Sequence, residues 1–103
     1  MRYSLFVHPL ARLDILDAVV WYEEQRLGLG LEMSAQVDAA ICRAADSPLA
    51  FALIDEATRR VLCRRFPYAV FFQVDGDRLV VLAVTHVHRD PIGWPSRTTP
   101  STP

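Results

Sequence analysis

The sequence predicts an α+β domain, ordered β-α-α-β-β-β, in which a helical hairpin packs on one face of a small antiparallel sheet. Three observations carry this. Apolar residues recur with a helical period across residues 10–46, and the period changes to two after residue 60. Glycine and proline fall where elements must break, at Pro9, Gly28, Gly30, Pro48 and Gly76. The 103 residues suit one domain with one core. A hydrophobic share of 51% against 22% charged excludes an unfolded chain. No apolar run approaches the ~20 residues of a membrane span, and the N-terminus lacks a signal-peptide pattern.

Residues 3–8 alternate weakly and stop at Pro9, as a short strand does. Pro9 suits the first turn of a helix, where its missing N–H costs nothing. At 100° per residue, Leu13, Ile15, Leu16, Val19, Val20 and Tyr22 share one broad arc over residues 10–26. Asp14, Asp17, Glu24 and Gln25 lie opposite, and Trp21 falls among these acids. The arc is expected to supply Leu16 and Val20 to the core. Gly28 and Gly30 bracket a break. A second helix over residues 31–46 then carries the stripe Met33, Val37, Ala40, Ile41 and Ala44, with Val37 and Ile41 expected in the core. So short a connection makes the pair antiparallel. Ser47-Pro48 ends the second helix, and residues 49–58 read as loop.

Strands follow at 61–66, 69–74 and 79–87, the last two joined by a tight turn at Asp75-Gly76-Asp77. Residues 79–84 are apolar at both parities, so their strand belongs inside the sheet, covered on both faces. Residues 61–66 carry Arg at both parities, which marks an edge. The N-terminal strand must then flank residues 79–87. Residues 1–94 form the expected domain. The last thirteen residues hold four of the seven prolines and five Ser or Thr, so 95–103 read as a disordered tail.

A formal net charge of −1 excludes a strongly basic, indiscriminate nucleic-acid binder. All eleven positive residues are Arg, which removes Lys from any chemistry. Cys42 and Cys63 lack metal spacing and read as reduced core thiols of a cytosolic protein. Arg59, Arg60, Arg64 and Arg65 fall within seven residues, and Arg89 follows the last strand. Guanidinium forks bind phosphate or carboxylate, so the cluster suits an RNA backbone or an acidic peptide; it equally suits a charged edge that discourages aggregation. An edge of this kind can accept an added strand. His86 and His88 can serve as general acid or base, or simply bond a carboxylate at the strand end. With no third ligand they make no metal site. Trp21 can anchor a partner or pack within the chain, under the segment at Trp94 or the N-terminal strand. No Ser-type triad or phosphate-cradling glycine loop is present, and no cofactor is expected.

Four segments in series, "AVVWYEE" at 18–24, "LGLG" at 27–30, "FPYAVFF" at 66–72 and "AVTHVHRDPIGW" at 83–94, resemble the RelE/ParE toxin superfamily. This is the toxin half of bacterial type II toxin–antitoxin, or plasmid stabilisation, modules. The resemblance spans nearly all of residues 5–94 and implies a cytoplasmic toxin held by a cognate antitoxin in a hetero-oligomer. It implies one of two activities. RelE-like members cleave mRNA in the ribosome without a metal, using cationic and acid–base groups on the exposed sheet face. ParE-like members lack those groups and poison DNA gyrase. RelE-like nucleases place an Arg after the Tyr that opens the middle strand; here that residue is Ala69. Arg89 stands at the second catalytic Arg position, and His86 matches a subgroup "H..RDP..W". A reduced nuclease set would be His86 and Arg89 with Arg64 or Arg65. The missing positions favour a ParE-like gyrase inhibitor without chemistry of its own. The alternatives are a RelE-like mRNA interferase and a non-toxic protein of the same fold. Arg60, Arg64, Arg65 and Trp21 are the expected partner-binding residues. Because the Ala69 face is the functional one in the family, Val70, Phe72 and Val74 should face the helices.

Overall fold

The computed structural model describes residues 3–88. The expected tail, and with it Arg89 and Trp94, lies outside them. The elements are β1 (Ser4–Val7), α1 (Pro9–Gln25), α2 (Leu29–Asp46), a 3-10 turn (Pro48–Ala50), β2 (Thr58–Leu62), β3 (Tyr68–Asp75) and β4 (Arg78–His86). The sheet order is β1-β4-β3-β2, so β4 is internal and β2 is an edge, as the charge and parity patterns require. One feature differs from expectation. β1 runs parallel to β4, which makes the sheet mixed rather than antiparallel. Strand direction depends on where the chain re-enters the sheet after the hairpin, and no local pattern encodes that.

Pro9 opens α1, and His8 caps it, its Nδ1 accepting from the Leu10 N–H at 3.1 Å. Gly28 precedes α2 in the left-handed region at φ 88°, a conformation that favours glycine. No side chain of its own caps α2. Glu23, near the end of α1, reaches across instead and accepts from the N–H groups of Gly28 (2.8 Å) and Gly30 (2.9 Å). The β3–β4 turn centres on Gly76 and Asp77. Among the described residues only Gly76 of this pair has positive φ (63°), the pattern of a type II′ hairpin with glycine first.

The main core lies between the hairpin and one sheet face. α2 buries Met33, Val37, Ala40, Ile41 and Ala44, as its stripe predicts. Val70 and Phe72 are fully buried on the same side, and Val74 packs against them. α1 corrects the expectation. It buries only Ala11 and Ala18, with Ile15, Val19 and Tyr22 partly covered, while Leu16 and Val20 are 54% and 48% exposed and Leu13 is 53% exposed. The helix is turned because an acid sits at the sheet: Asp14 Oδ2 accepts from the Val84 N–H at 3.0 Å. It also sits close to α2, since a Cβ on Gly30 would stand 2.6 Å from the Val19 carbonyl oxygen.

A bulge falls opposite Phe71 and Phe72, which pair with Ala83 and Val81 and leave Leu82 as the extra residue. The bulge switches the face that β4 presents. Leu79 and Val81 lie in the helix-side core before it, and Val84 after it, while Ala83 joins Ala69 and Phe71 in a second cluster. A run apolar at both parities is therefore what this strand needs.

β2 also differs, spanning Thr58–Leu62 rather than 61–66. The Asp55 carboxylate accepts from the N–H groups of Ala57 and Thr58, a side-chain turn that starts the strand early. These bonds hold its carboxyl below the usual range. At the other end Arg65 adopts φ 70°, which ends the extended run. Cys42 is exposed, one position past the buried stripe of α2, so it is not the core thiol expected. Cys63 is partly buried, and desolvation pushes its thiol up to about 11, against the opposing charge of Arg43.

Candidate functional site

The sequence-selected residues gather in two places. The first is a recess of about 480 Å³ between α1 and the end of the sheet, whose lining includes Asp14, Asp17, Trp21, Tyr22, Tyr68 and His86. Tyr68 and His86 are register partners on β3 and β4, and their rings meet at 5.4 Å. Tyr22 contacts Tyr68 (6.1 Å) and Phe66 (5.0 Å) edge-on, and Trp21 stands T-shaped on Tyr22 at 4.9 Å. Trp21 therefore uses one ring edge within the chain and leaves 54% of its surface in solvent. β1 does not cover it.

His86 lies on the helix side of the sheet, two residues beyond Val84, rather than with Ala69 on the opposite face. Its Nδ1 accepts from the His88 N–H at 3.2 Å. Arg89 is outside the described residues. Among the described residues no group of three His, Cys, Asp or Glu side chains is placed to hold a metal.

The second place is beside β2, where the arginine cluster divides. Arg59 donates from Nη1 to the Phe51 carbonyl at 2.6 Å and holds the preceding loop. Arg60 and Arg64 line one groove of about 440 Å³ together with Arg43, Phe51, Ile54 and Leu62. Arg65 belongs to another network. It donates to Glu32 at 2.7 Å, and Arg26 bonds the second Glu32 oxygen at 3.1 Å. The Arg65 bond foremost holds the Glu32 carboxyl below its ordinary value. The groove pairs apolar lining with three guanidinium groups, which suits acidic and apolar side chains.

Strand addition at β2 is another matter. The Ile54 N–H donates to the Thr58 carbonyl, Leu53 bridges Arg59, and Arg43 donates to the Leu62 carbonyl at 2.7 Å. The outward backbone of this edge is taken at both ends, leaving little for an incoming strand.

Sequence reasoning missed Asp14, Glu23 and Asp55, three carboxylates bonded to backbone N–H groups. Only Glu23 left a signal, an acid pair one helical turn before the glycines of the break; Asp14 satisfies a strand seventy residues away, which no local pattern shows.

No family model matches the chain, and no curated protein does. Among solved structures it is similar to a chain of the chromosomal ParDE toxin–antitoxin (TA) system from P. aeruginosa. The TM-score is 0.73 at 16% identity, over 82% of this chain and 96% of that one. Element order and hairpin agree with the expectation from residues 5–94, the parallel β1 apart, and the chain shares the fold of that ParDE chain.

Proposed function

We propose that the chain is the toxin of a bacterial type II toxin–antitoxin module, ParE-like, acting in the cytoplasm by binding and inhibiting DNA gyrase. A cognate antitoxin neutralises it, contributing acidic and apolar side chains to the Arg60–Arg64 groove. Likeness to a ParDE chain supports the module. What favours inhibition over cleavage is the character of the helix-free sheet face. Its centre is the buried apolar cluster Ala69, Phe71 and Ala83, and His86 lies on the other side of the sheet. RNA cleavage by the 2′-OH needs a base, an acid and a cation on the phosphate held together. Ala69 supplies none of these, and His86 holds its Nδ1 in a backbone bond.

The test is induced expression with separate readouts of DNA double-strand breaks and mRNA ends, joined to a supercoiling assay with purified gyrase. Breaks and loss of supercoiling are expected, both reversed by the antitoxin. Ribosome-dependent mRNA cuts that fall ~10²-fold or more in His86→Ala and Arg89→Ala would replace this reading with the nuclease.

A further inference from the structure

We propose that the recess between α1 and the end of the sheet is a binding site for a small organic cation, a free alkylguanidinium compound. The site does not rest on the toxin–antitoxin reading, and it is tested on the chain alone, so either can fail without the other.

The acids and the most exposed ring of the recess come from one stripe of α1. Asp14, Asp17 and Trp21 stand at spacings of three and four, which makes them neighbours on one helix face. Between them the buried Ala18 adds only a methyl group, so the stripe is hollow there. The Asp14 bond to the Val84 N–H holds this stripe against β4. Tyr68 and His86 face it from the sheet, and Tyr22 touches the rings of both Trp21 and Tyr68. Successive rings, Trp21 to Tyr22, Tyr22 to Tyr68 and Tyr68 to His86, meet at 88°, 65° and 73°. They stand as walls set at angles rather than as a stack.

The polar groups of α1 make the recess negative. Asp17 is exposed, and among the described residues its carboxylate makes no ion pair or hydrogen bond. Like charges one turn apart on a helix repel. All eleven Lys or Arg positions of the chain are arginines, and among the described residues none of them lines the recess. Aromatic faces beside a carboxylate attract a cation. Chemistry selects which one. A quaternary ammonium has no N–H for Asp17. A primary ammonium gives up a stronger hydration shell to reach the rings. A guanidinium is weakly hydrated, stacks on aromatic faces and forks onto a carboxylate. The volume of about 480 Å³ lies in the range of small-molecule sites, which selects a free compound.

The experiment titrates butylguanidinium into the whole chain at constant ionic strength. It follows the Trp21 indole N–H, identified as the signal absent from Trp21→Ala, in a proton–nitrogen correlation spectrum. That signal should move saturably at millimolar probe. Asp17→Asn should weaken binding about tenfold, the loss of one charge-assisted hydrogen bond. Trp21→Ala, read from the His86 ring protons, should weaken it about three- to fivefold, as a surface cation–π contact does. Asp17 and Trp21 are both exposed, so both variants should keep the wild-type fold, checked by the thermal midpoint. Glu24→Gln, at an exposed acid of the same helix outside the recess, should bind as wild type does. No saturable shift, binding unchanged by Asp17→Asn, or equal weakening by Glu24→Gln overturns the site. Butylamine or tetramethylammonium binding as tightly overturns the guanidinium class. An arginine-centred tripeptide with blocked ends that binds about tenfold tighter than butylguanidinium would make the ligand a protein side chain and overturn the free compound.

Discussion

Helix α2 buries Met33, Val37, Ala40, Ile41 and Ala44 at the positions its own apolar period selects, whereas α1 buries Ala11 and Ala18 and leaves Leu13, Leu16 and Val20 in solvent. Both helices belong to one hairpin and touch the same sheet. For α2 the hydrophobic stripe sets the rotation. For α1 three polar or steric anchors set it: the Asp14 bond to Val84, the Glu23 bonds to Gly28 and Gly30, and the close passage of Gly30 by the Val19 carbonyl. A buried strand N–H left unbonded costs as much as a leucine gains by half-burial, so the acid can win the inward position. The apolar face this leaves outside α1 is the kind of surface that marks an interaction site.

The largest effect that tests this contrast is truncation. Met33→Ala should cost ~2–5 kcal/mol in urea unfolding, the usual range for a fully buried large-to-small change. Leu16→Ala should fall within about 0.5 kcal/mol of wild type. Equal losses would mean that α1 is rotated as its period suggests. Asp14→Ala should come next, at ~1–3 kcal/mol, because the Val84 N–H loses its acceptor. Asp14→Asn keeps an acceptor and should lose less; if both variants are neutral, the anchor is not what turns α1.

Gly30→Ala should follow at a net ~1–2 kcal/mol in the thermal midpoint. The new Cβ meets the Val19 carbonyl, which is backbone and yields little, and stands 2.9 Å from the Glu23 carboxylate. That penalty of ~1–3 kcal/mol exceeds the helix-propensity gain of up to about 1 kcal/mol. A stabilised Gly30→Ala would show that the helices have room to separate.

The smallest effect concerns Glu32, in the first turn of α2. Its carboxyl is lowered in the fold by Arg65 above all, so its stabilising contribution is present above the unfolded value near 4.3 and is lost as pH falls through the folded value. The midpoint difference between wild type and Glu32→Gln should be visible at pH 7 and vanish once acidification protonates Glu32 in the fold. A difference that persists there would assign the effect to packing.

Much of this architecture was legible in residues that act locally. Pro9, Gly28, Ser47-Pro48 and Gly76 set element ends through backbone conformation, and the stripe of α2 named its own core. Arginines at both parities marked β2 as an edge, although Asp55 and Arg65 moved its bounds by residues no period reveals. Of the candidate residues, Arg60 and Arg64 do share one groove, and Trp21 shares a recess with His86. Arg65 was drawn away to Glu32 across thirty-three positions, and the β2 edge was closed by Ile54 and Arg43.

By itself the sequence determined which segments are helix or strand and which strand lies inside the sheet. These follow from spacing of apolar side chains and from glycine and proline geometry, both properties of neighbouring residues. The tertiary structure decided that β1 runs parallel to β4, that α1 turns its alanines inward, and that the β2 edge is closed. Each of these depends on backbone groups satisfied from afar, Val84 by Asp14, Thr58 by Ile54, Leu62 by Arg43. A hydrogen bond between distant segments leaves no period in the chain, so only the folded molecule shows which groups remain unbonded.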